Sequence, residues 1–132
     1  MYCIVLGDDV YLRCKIKFIM NIENQKAQMR KGMLEFCVLL LLDRGDAYAS
    51  QMIEGLKEAR LIVVEGTLYP LLTRLKNDGL LSYRWEESTS GPPRKYYSLT
   101  PLGRQALQAL NAAWREIAES VNHLIQAKSP RQ

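Results

Sequence analysis

The segment over residues 65–100 limits the possible folds more than any other part of the chain. It opens with a helical run that Asp78-Gly79 closes, and the leucines of that run recur at steps of three and four: Leu68, Leu71, Leu72 and Leu75. The sequence then predicts a strand over 80–86, a polar Gly/Pro-rich loop over 87–93 and a second strand over 94–99. Helix, strand, loop and returning strand, in this order, form the second half of a winged helix.

Helical periodicity predicts two helices before this segment and one after it. The first covers 29–43 and the second about 48–59, and their inner faces carry apolar side chains: Leu34, Cys37, Val38, Leu41 and Leu42 in the first, Met52, Ile53 and Leu56 in the second. The third helix is predicted over about 65–77, where Pro70 falls in the first turn if the regular helix begins near residue 66. The last helix begins at Pro101, after the N-capping hydroxyl of Thr100, and ends near residue 127.

The predicted fold class is mainly α with a small β-hairpin (α+β). We expect a winged helix-turn-helix DNA-binding domain over residues 20–100, a long C-terminal dimerisation helix over 101–127 and a tail over 128–132. Residues 1–19 are interpreted as an N-terminal extension, with Met20 as the expected natural start. The chain shows no secretory signal pattern, and no apolar run approaches the ~20 residues of a membrane helix. Three cysteines without a C-x-x-C pair predict reduced thiols and a cytoplasmic location.

The outward-facing residues of the third helix are the predicted DNA contacts, because a helix-turn-helix places its second helix in the major groove. With the leucines pointing inward, these residues are Thr67, Tyr69, Pro70, Thr73, Arg74 and Lys76. The hydroxyls of Thr67 and Tyr69 are predicted to reach phosphates or base edges, and the two cations to hold phosphates. Arg94 and Lys95, which the loop prediction places at the wing tip, are predicted to reach an adjacent groove or the backbone. The net charge of +4 permits such binding without requiring it.

The last helix carries an apolar seam with heptad spacing. Six residues follow one another at steps of 3, 4, 3, 4 and 3: Leu107, Leu110, Trp114, Ile117, Val121 and Leu124. Since the first three helices already supply a winged-helix core, this seam is predicted to be buried against a second subunit. The alternative is that it packs on the first helix of its own chain. A two-fold dimer predicts an inverted-repeat operator with half-sites about one helical turn apart, or a multiple of that distance.

The phrases EGTLYPLL, RL…DGLL and GPPRKYYSLT resemble the PadR family of bacterial transcription regulators, and the resemblance covers about residues 28–125. It implies a regulator, usually a repressor of genes close to its own, and the single C-terminal helix fits the shorter subgroup. It also implies that Tyr48, at the start of the second helix, touches the DNA backbone. Some short members hold flat aromatic ligands between tryptophans at the dimer centre, which implies a planar aromatic effector beside Trp114 here.

Two other classes of function are weighed against this one. A winged helix that serves only protein–protein contact is the alternative, although it would need no Arg94-Lys95 pair on the wing. An enzyme is excluded, because the sequence contains no Gly-rich phosphate loop and no nucleophile with a plausible base. His123 is the single histidine and has no partner at metal-ligand spacing, so neither a metal site nor a cofactor is expected.

Overall fold

The computed structural model describes residues 8–127, and within them four helices flank one antiparallel β-hairpin. The elements follow in this order: α1 over Asp8–Asp43, α2 over Ala49–Glu58, α3 over Glu65–Asn77, β1 over Leu81–Ser88, β2 over Gly91–Leu99 and α4 over Pro101–Gln126. The predicted α+β class with a winged helix-turn-helix is therefore confirmed. The bounds of α3 coincide with the prediction, and those of α2 and α4 differ from it by one residue.

The first helix is much longer than predicted, because α1 begins at Asp8 and not near residue 29. Asp9 stands in its first turn, where a carboxylate interacts favourably with the helix dipole. No proline or glycine interrupts residues 9–31, so nothing in the sequence ends the helix there. The extension over 1–19, the start at Met20 and the division into domains stay predictions, and residues 1–7 and the tail over 128–132 lie outside the described residues.

The chain divides into two compact units at the boundary between Leu34 and Glu35. The described part of the first unit is helical, with a Glu23–Lys26 ion pair of 3.2 Å and apolar side chains exposed along its length: Val10, Tyr11, Leu12, Ile16, Ile19, Ile22 and Met29. Cys14 is disulfide-bonded in the structure, so the expectation of reduced thiols is wrong for this residue. Cys37, in the second unit, is a free and half-buried thiol whose pKa is raised by that burial.

Leucines dominate the core of the second unit, which collects one apolar face from each of its elements. The buried residues are Phe36, Val38, Leu39 and Leu42 of α1, Ala49, Met52 and Leu56 of α2, Leu68, Leu72 and Leu75 of α3, Leu81, Tyr97 and Leu99 of the hairpin, and Leu107 of α4. Leu71, predicted to be buried with the other leucines of α3, is half-buried. Removing such surface from water supplies the main driving force for folding.

The hairpin, referred to below as the wing, extends further than the sequence predicts. Its register pairs Leu81 with Leu99 and continues to Ser88 opposite Gly91, so Thr89 and Ser90 form the tip. Pro92 and Pro93 therefore lie inside β2, beside a register shift between Glu86 and Ser88. Both strands of a two-stranded sheet have one free edge, where a missing N–H is tolerated.

A single residue adds a third strand position to the wing. Ala47 forms an antiparallel bridge with Tyr97, in which the Ala47 N–H donates to the Tyr97 carbonyl at 3.2 Å and the Tyr97 N–H donates to the Ala47 carbonyl at 2.9 Å. Tyr48 follows immediately as the N-cap residue of α2. The start of α2 is thereby fastened to the wing.

The start of α4 is packed against the end of α3 and the start of β1. Thr100 caps α4, since its hydroxyl accepts from the Gly103 N–H at 3.0 Å and donates to the Gly79 carbonyl at 2.6 Å. Gly103 is buried, and a Cβ at this position would lie 2.1 Å from the Leu80 carbonyl oxygen. Only a residue without a side chain allows this approach.

Helices α2 and α3 end in the same backbone motif with different residues at the left-handed position. After α3, Gly79 has φ 81° and Leu80 donates to the Leu75 carbonyl at 2.9 Å. After α2, Arg60 has φ 62° and Leu61 donates to the Leu56 carbonyl at 2.8 Å. Both are Schellman caps, for which glycine is the usual residue at this position. The turn between α2 and α3 thus places a non-glycine residue in the left-handed region.

Candidate nucleic-acid interface

The outer face of α3 carries the residues that the sequence predicts to face DNA. Thr67, Tyr69, Pro70, Thr73, Arg74 and Lys76 are all exposed, while the leucines of the opposite face are buried or half-buried. Pro70 is the sixth residue of the helix, so it lies beyond the first turn. The missing N–H therefore leaves the exposed Gly66 carbonyl without its helical donor. Val64 is the N-cap residue of α3 and makes no side-chain hydrogen bond there, because a valine side chain has no polar group.

Two of these α3 residues have partners inside the chain. Arg74 forms an ion pair with Glu35 of α1, with 2.8 Å between Nη2 and Oε2. The Thr73 hydroxyl donates to the Tyr69 carbonyl one turn earlier, at 3.1 Å. Arg74 is thus anchored to the neighbouring helix, while Lys76 extends its amine to 5.7 Å from the ring centroid of Tyr83.

Arg94 and Lys95 do not lie at the wing tip, which corrects the sequence prediction. They lie within β2, opposite Glu86 and Trp85 of β1. The prediction failed because it ended both strands at the Gly/Pro-rich segment, whereas the strands continue to Ser88 and Gly91. The two basic residues consequently lie closer to the body of the domain than a tip position would bring them.

Alternation along the strands separates the wing into two faces. The inner wing face contains Tyr83, Trp85, Lys95 and Tyr97, and the outer wing face contains Arg84, Glu86, Arg94 and Tyr96. On the inner wing face, the Lys95 amine lies 4.4 Å from the ring centroid of Tyr83 and 5.2 Å from that of Trp85. The two rings meet edge-on, with centroids 6.3 Å apart. Burial raises the pKa of Tyr97, with smaller contributions from Tyr69 and Tyr83.

On the outer wing face, aromatic rings and charges alternate. The Arg94 guanidinium lies 4.5 Å above the ring of Tyr48, which packs edge-on against Tyr96 at 5.2 Å. The Arg84 guanidinium lies 5.3 Å above Tyr96 and holds two carboxylates, those of Asp46 and Glu86. The Arg84 hydrogen bond is the main reason why the pKa of Asp46 is lowered, with Ser98 contributing a second bond. The hydrogen bond to Asp46 is the main reason why the pKa of Arg84 is raised, and the hydrogen bond to Glu86 is the second.

An open cleft of about 450 Å³ lies between the start of α2, the outer face of α3 and the wing. It brings together five of the predicted DNA-binding residues: Tyr48, Tyr69, Thr73, Arg94 and Lys95. Thr67, Pro70, Arg74 and Lys76 are not among its lining residues, although they share the exposed face of α3. The cleft combines two cations with phenol and hydroxyl groups, which suit phosphate oxygens, and it also contains the carboxylate of Glu65 at the start of α3.

Sequence reasoning missed Trp85, which also lines the cleft and is 61% exposed. The available signal was its place two residues after Tyr83, because residues i and i+2 of a strand share a face. Arg84 and Asp46 were missed as well. Their ion pair joins residues that are 38 positions apart in the chain, and no sequence pattern marks it.

The apolar seam of α4 is divided between the chain's own core and solvent. Leu107 is 7% exposed and Leu110 is half-buried, so the beginning of the seam packs within the chain. The remaining members are exposed, as is the neighbouring Ile125: Trp114, Ile117, Val121 and Leu124. A shallow depression of about 540 Å³ lies beside Trp114 and Ala118. Three full turns of α4 thus present an uncovered apolar surface in the single chain.

The described part of the chain contains no cluster of three or more His, Cys, Asp and Glu side chains that could hold a metal ion. None of the helices over residues 8–127 is long and apolar enough to span a membrane.

Comparison with known proteins gives a consistent family. A family model described as the transcriptional regulator PadR-like family matches residues 38–109. A PadR-like transcription factor from Bacteroides fragilis is 68% identical, over 76% of this chain and 98% of that one, with a TM-score of 0.65. A PadR family transcriptional regulator from Eggerthella lenta is 30% identical, over 86% of this chain and 99% of that one, with a TM-score of 0.78.

A third similar structure contains DNA. Bacillus subtilis PadR, solved in complex with operator DNA, is 25% identical with a TM-score of 0.56. The match covers 59% of this chain and 46% of that chain, so it involves less than half of the Bacillus protein.

Proposed function

The chain belongs to the PadR-like family of transcriptional regulators, and from this premise we propose that it is a dimeric repressor that binds double-stranded operator DNA. Members of the family are regulators, and the chain is not an enzyme. The proposed operator is an inverted repeat near the protein's own gene, and the proposed site of action is the cytoplasm. The observation that carries the proposal is the cleft, which Arg94 and Lys95 of the wing line together with Tyr69 and Thr73 of α3.

The proposed DNA contacts divide between two elements. The N-terminal half of α3 enters the major groove, with Thr67, Tyr69 and Pro70 nearest the base edges. Tyr48, Thr73 and Lys76 are assigned to the sugar–phosphate backbone. Arg74 is proposed as a phosphate ligand that must share its guanidinium with Glu35, which makes it the weakest of the cations on this face.

The wing supplies the remaining contacts in this proposal. Arg94 and Lys95 approach the backbone beside the major groove from positions within β2, each resting on aromatic rings. A ring beneath a cation restricts its position without neutralising its charge, so the cation remains able to bind a phosphate. Bacillus subtilis PadR, whose structure contains operator DNA, supports DNA as the partner.

Dimerisation through α4 is the second half of the proposal. Trp114, Ile117, Val121 and Leu124 supply an exposed apolar strip, which a second copy of the same helix would cover. Leu107 and Leu110, the first two members of the seam, continue the strip into the chain's own core. One winged helix would bind weakly and mainly through charge, whereas two joined copies read two half-sites.

A small planar aromatic effector is proposed to relieve repression by binding beside Trp114. The exposed indole, at 43% exposure, and the depression beside it support this assignment. Such a ligand would act by favouring one spacing of the two recognition helices over the other, and its effect is limited by its preference for that state.

Binding of the purified protein to the intergenic DNA beside its own gene tests the proposal. We expect a complex that survives competitor DNA, contains two protomers per site and weakens steeply between about 50 and 200 mM salt. A complex that competitor DNA removes would show charge-driven binding without an operator. If the protein, with and without aromatic ligands, binds no DNA at either salt concentration, the winged helix serves a protein partner instead.

A further inference from the structure

We propose that Arg84 forms ion pairs with Asp46 and Glu86 and thereby leaves Arg94 available for DNA. In this proposal Arg84 itself does not hold a phosphate. This inference rests on the proposed function, because it concerns how strongly the wing binds a DNA backbone. It assigns a positioning role to a residue that lies outside the cleft.

Glu86 is the carboxylate best placed to neutralise Arg94. The register of the wing sets these two residues directly opposite each other on the outer wing face. Directly opposed residues of an antiparallel pair have Cβ atoms about 4.5–5.5 Å apart, which is within easy reach for glutamate and arginine side chains. Pairing between them would place an anion where a DNA phosphate has to bind.

The structure shows a different pairing. The Glu86 carboxylate accepts from Arg84, with Oε1 at 3.0 Å from both Nε and Nη2. The other side of the same guanidinium binds Asp46, which approaches from the segment before α2. Among residues 8–127, the ion pairs formed by Glu86 involve Arg84 alone. Arg84 thus compensates two carboxylates at once.

Arg94 is left with an aromatic partner instead of an anionic one. Its guanidinium lies 4.5 Å from the ring centroid of Tyr48, and Tyr96 supports that ring edge-on. Tyr96 in turn packs beneath Arg84, so the four side chains form one continuous stack on the outer wing face. An arginine in this environment is oriented, exposed and still fully charged.

Loss of Arg84 would change this balance in a predictable direction. With a neutral residue at position 84, Glu86 and Asp46 carry uncompensated charge, and Arg94 is the cation facing Glu86. A phosphate must then displace an exposed ion pair, which weakens binding about two- to fivefold per wing. The counterion effect of one phosphate contact is lost as well, so the salt slope falls by about 0.9 per wing.

A double-mutant cycle on the dimeric protein and its operator tests the inference. The variants are Arg84→Gln, Glu86→Gln and the two combined, and binding is measured across a series of salt concentrations. We expect R84Q to bind more weakly with a shallower salt slope, E86Q to bind within about twofold of the unmodified protein, and the combined variant to recover both affinity and slope.

Several outcomes would overturn the inference. If R84Q binds as well as the unmodified protein, Glu86 does not capture Arg94. If the loss in R84Q persists after E86Q is added, Arg84 itself holds a phosphate. If E86Q improves binding equally in both backgrounds, the two residues act independently. Should R84Q fail to fold, Arg84→Met, which is also neutral and keeps a long side chain over the Tyr96 ring, replaces it in the cycle, and its coupling with Glu86→Gln decides in the same way. Failure of the unmodified protein to bind any operator would instead remove the proposed function.

Discussion

A Cβ atom at position 103 would lie 2.1 Å from the carbonyl oxygen of Leu80, so Gly103 and Leu80 meet backbone against backbone. Gly103→Ala must therefore displace α4 or the first residues of the wing. We expect a loss of about 2–3 kcal/mol in the free energy of unfolding, although alanine gains about 1 kcal/mol in helix propensity.

Chemical denaturation at one protomer concentration measures this loss, since the stability of a dimer depends on concentration. Gly66→Ala, where a new Cβ has no neighbour within 4 Å, is the matched control and should be neutral or stabilising. Equal effects at the two positions would mean that the close approach at Gly103 has no energetic importance.

The two Schellman caps predict opposite effects of glycine exchange. Arg60, with φ 62°, is a non-glycine residue in the left-handed conformation, which is strained. Gly79, with φ 81°, is the residue that adopts this conformation without strain. Arg60→Gly should raise the free energy of unfolding by about 0.5–1 kcal/mol, and Gly79→Ala should lower it by about 1 kcal/mol. A new Cβ at position 79 has Leu102 Cδ2 at 3.6 Å, an ordinary contact, so steric overlap does not explain the expected loss. Thermal or urea unfolding that shows a loss in both variants contradicts the argument.

The wing cations should contribute affinity without sequence preference. Arg94→Ala combined with Lys95→Ala should weaken binding to every DNA sequence and lower the salt slope by about 1.8 per wing, which corresponds to two lost phosphate contacts. Lys57→Ala combined with Arg44→Ala removes the same charge at two exposed positions outside both the cleft and the depression beside Trp114. Fluorescence anisotropy should show a clear difference between these pairs, and a similar loss in both would reduce the wing to a contributor of net charge.

The α4 seam predicts the oligomeric state. Trp114→Glu combined with Val121→Glu places two carboxylates on the exposed apolar strip, at a cost of several kcal/mol for each charge that remains unpaired on burial. We expect a monomer in sedimentation experiments. Gln105→Glu combined with Gln108→Glu adds the same charge to the opposite side of α4 and should leave the dimer intact. A dimer that persists in the first variant would move the interface to another surface.

The Asp46–Arg84 ion pair predicts a contribution to stability that depends on pH. Because the pKa of Asp46 is lower in the folded chain than in the unfolded one, its stabilising effect is present above the unfolded value and is lost as the pH falls through the folded value. Asp46→Asn should therefore destabilise the protein at pH 7. The difference from the unmodified chain should shrink in acid, and urea denaturation at several pH values would reveal a constant difference if the carboxylate charge had no role.

Helix positions were predictable because periodicity, capping and breaker residues agree. The leucine spacing of α3, with Asp78-Gly79 after it, predicted both ends of that helix, and Thr100-Pro101 predicted the start of α4. The start of α1 was predicted too late, at residue 29, because the apolar periodicity on which the prediction relied begins only there, whereas the helix begins at Asp8. A lack of periodicity alone does not end a helix when no residue opposes its continuation.

The site was less predictable than the fold. Most of the exposed face of α3 follows from the buried leucines, but the strand positions of Arg94 and Lys95 depend on a register that two prolines disguise. The partners of charged residues were out of reach too. Glu35 and Arg74 are 39 positions apart, and each has many other possible partners in the sequence. Long-range ion pairs leave no periodic trace.

The bridge between Ala47 and Tyr97 requires only the main-chain groups of residue 47. Both hydrogen bonds of the bridge use the N–H and carbonyl of this residue, and the side chain takes no part in them. Small and medium side chains should therefore be interchangeable at this half-buried position, whereas proline, which lacks the N–H, would release one side of the wing from α2. The distance between the wing and the start of α2 is thus set by peptide groups, which stay the same when side chains are exchanged.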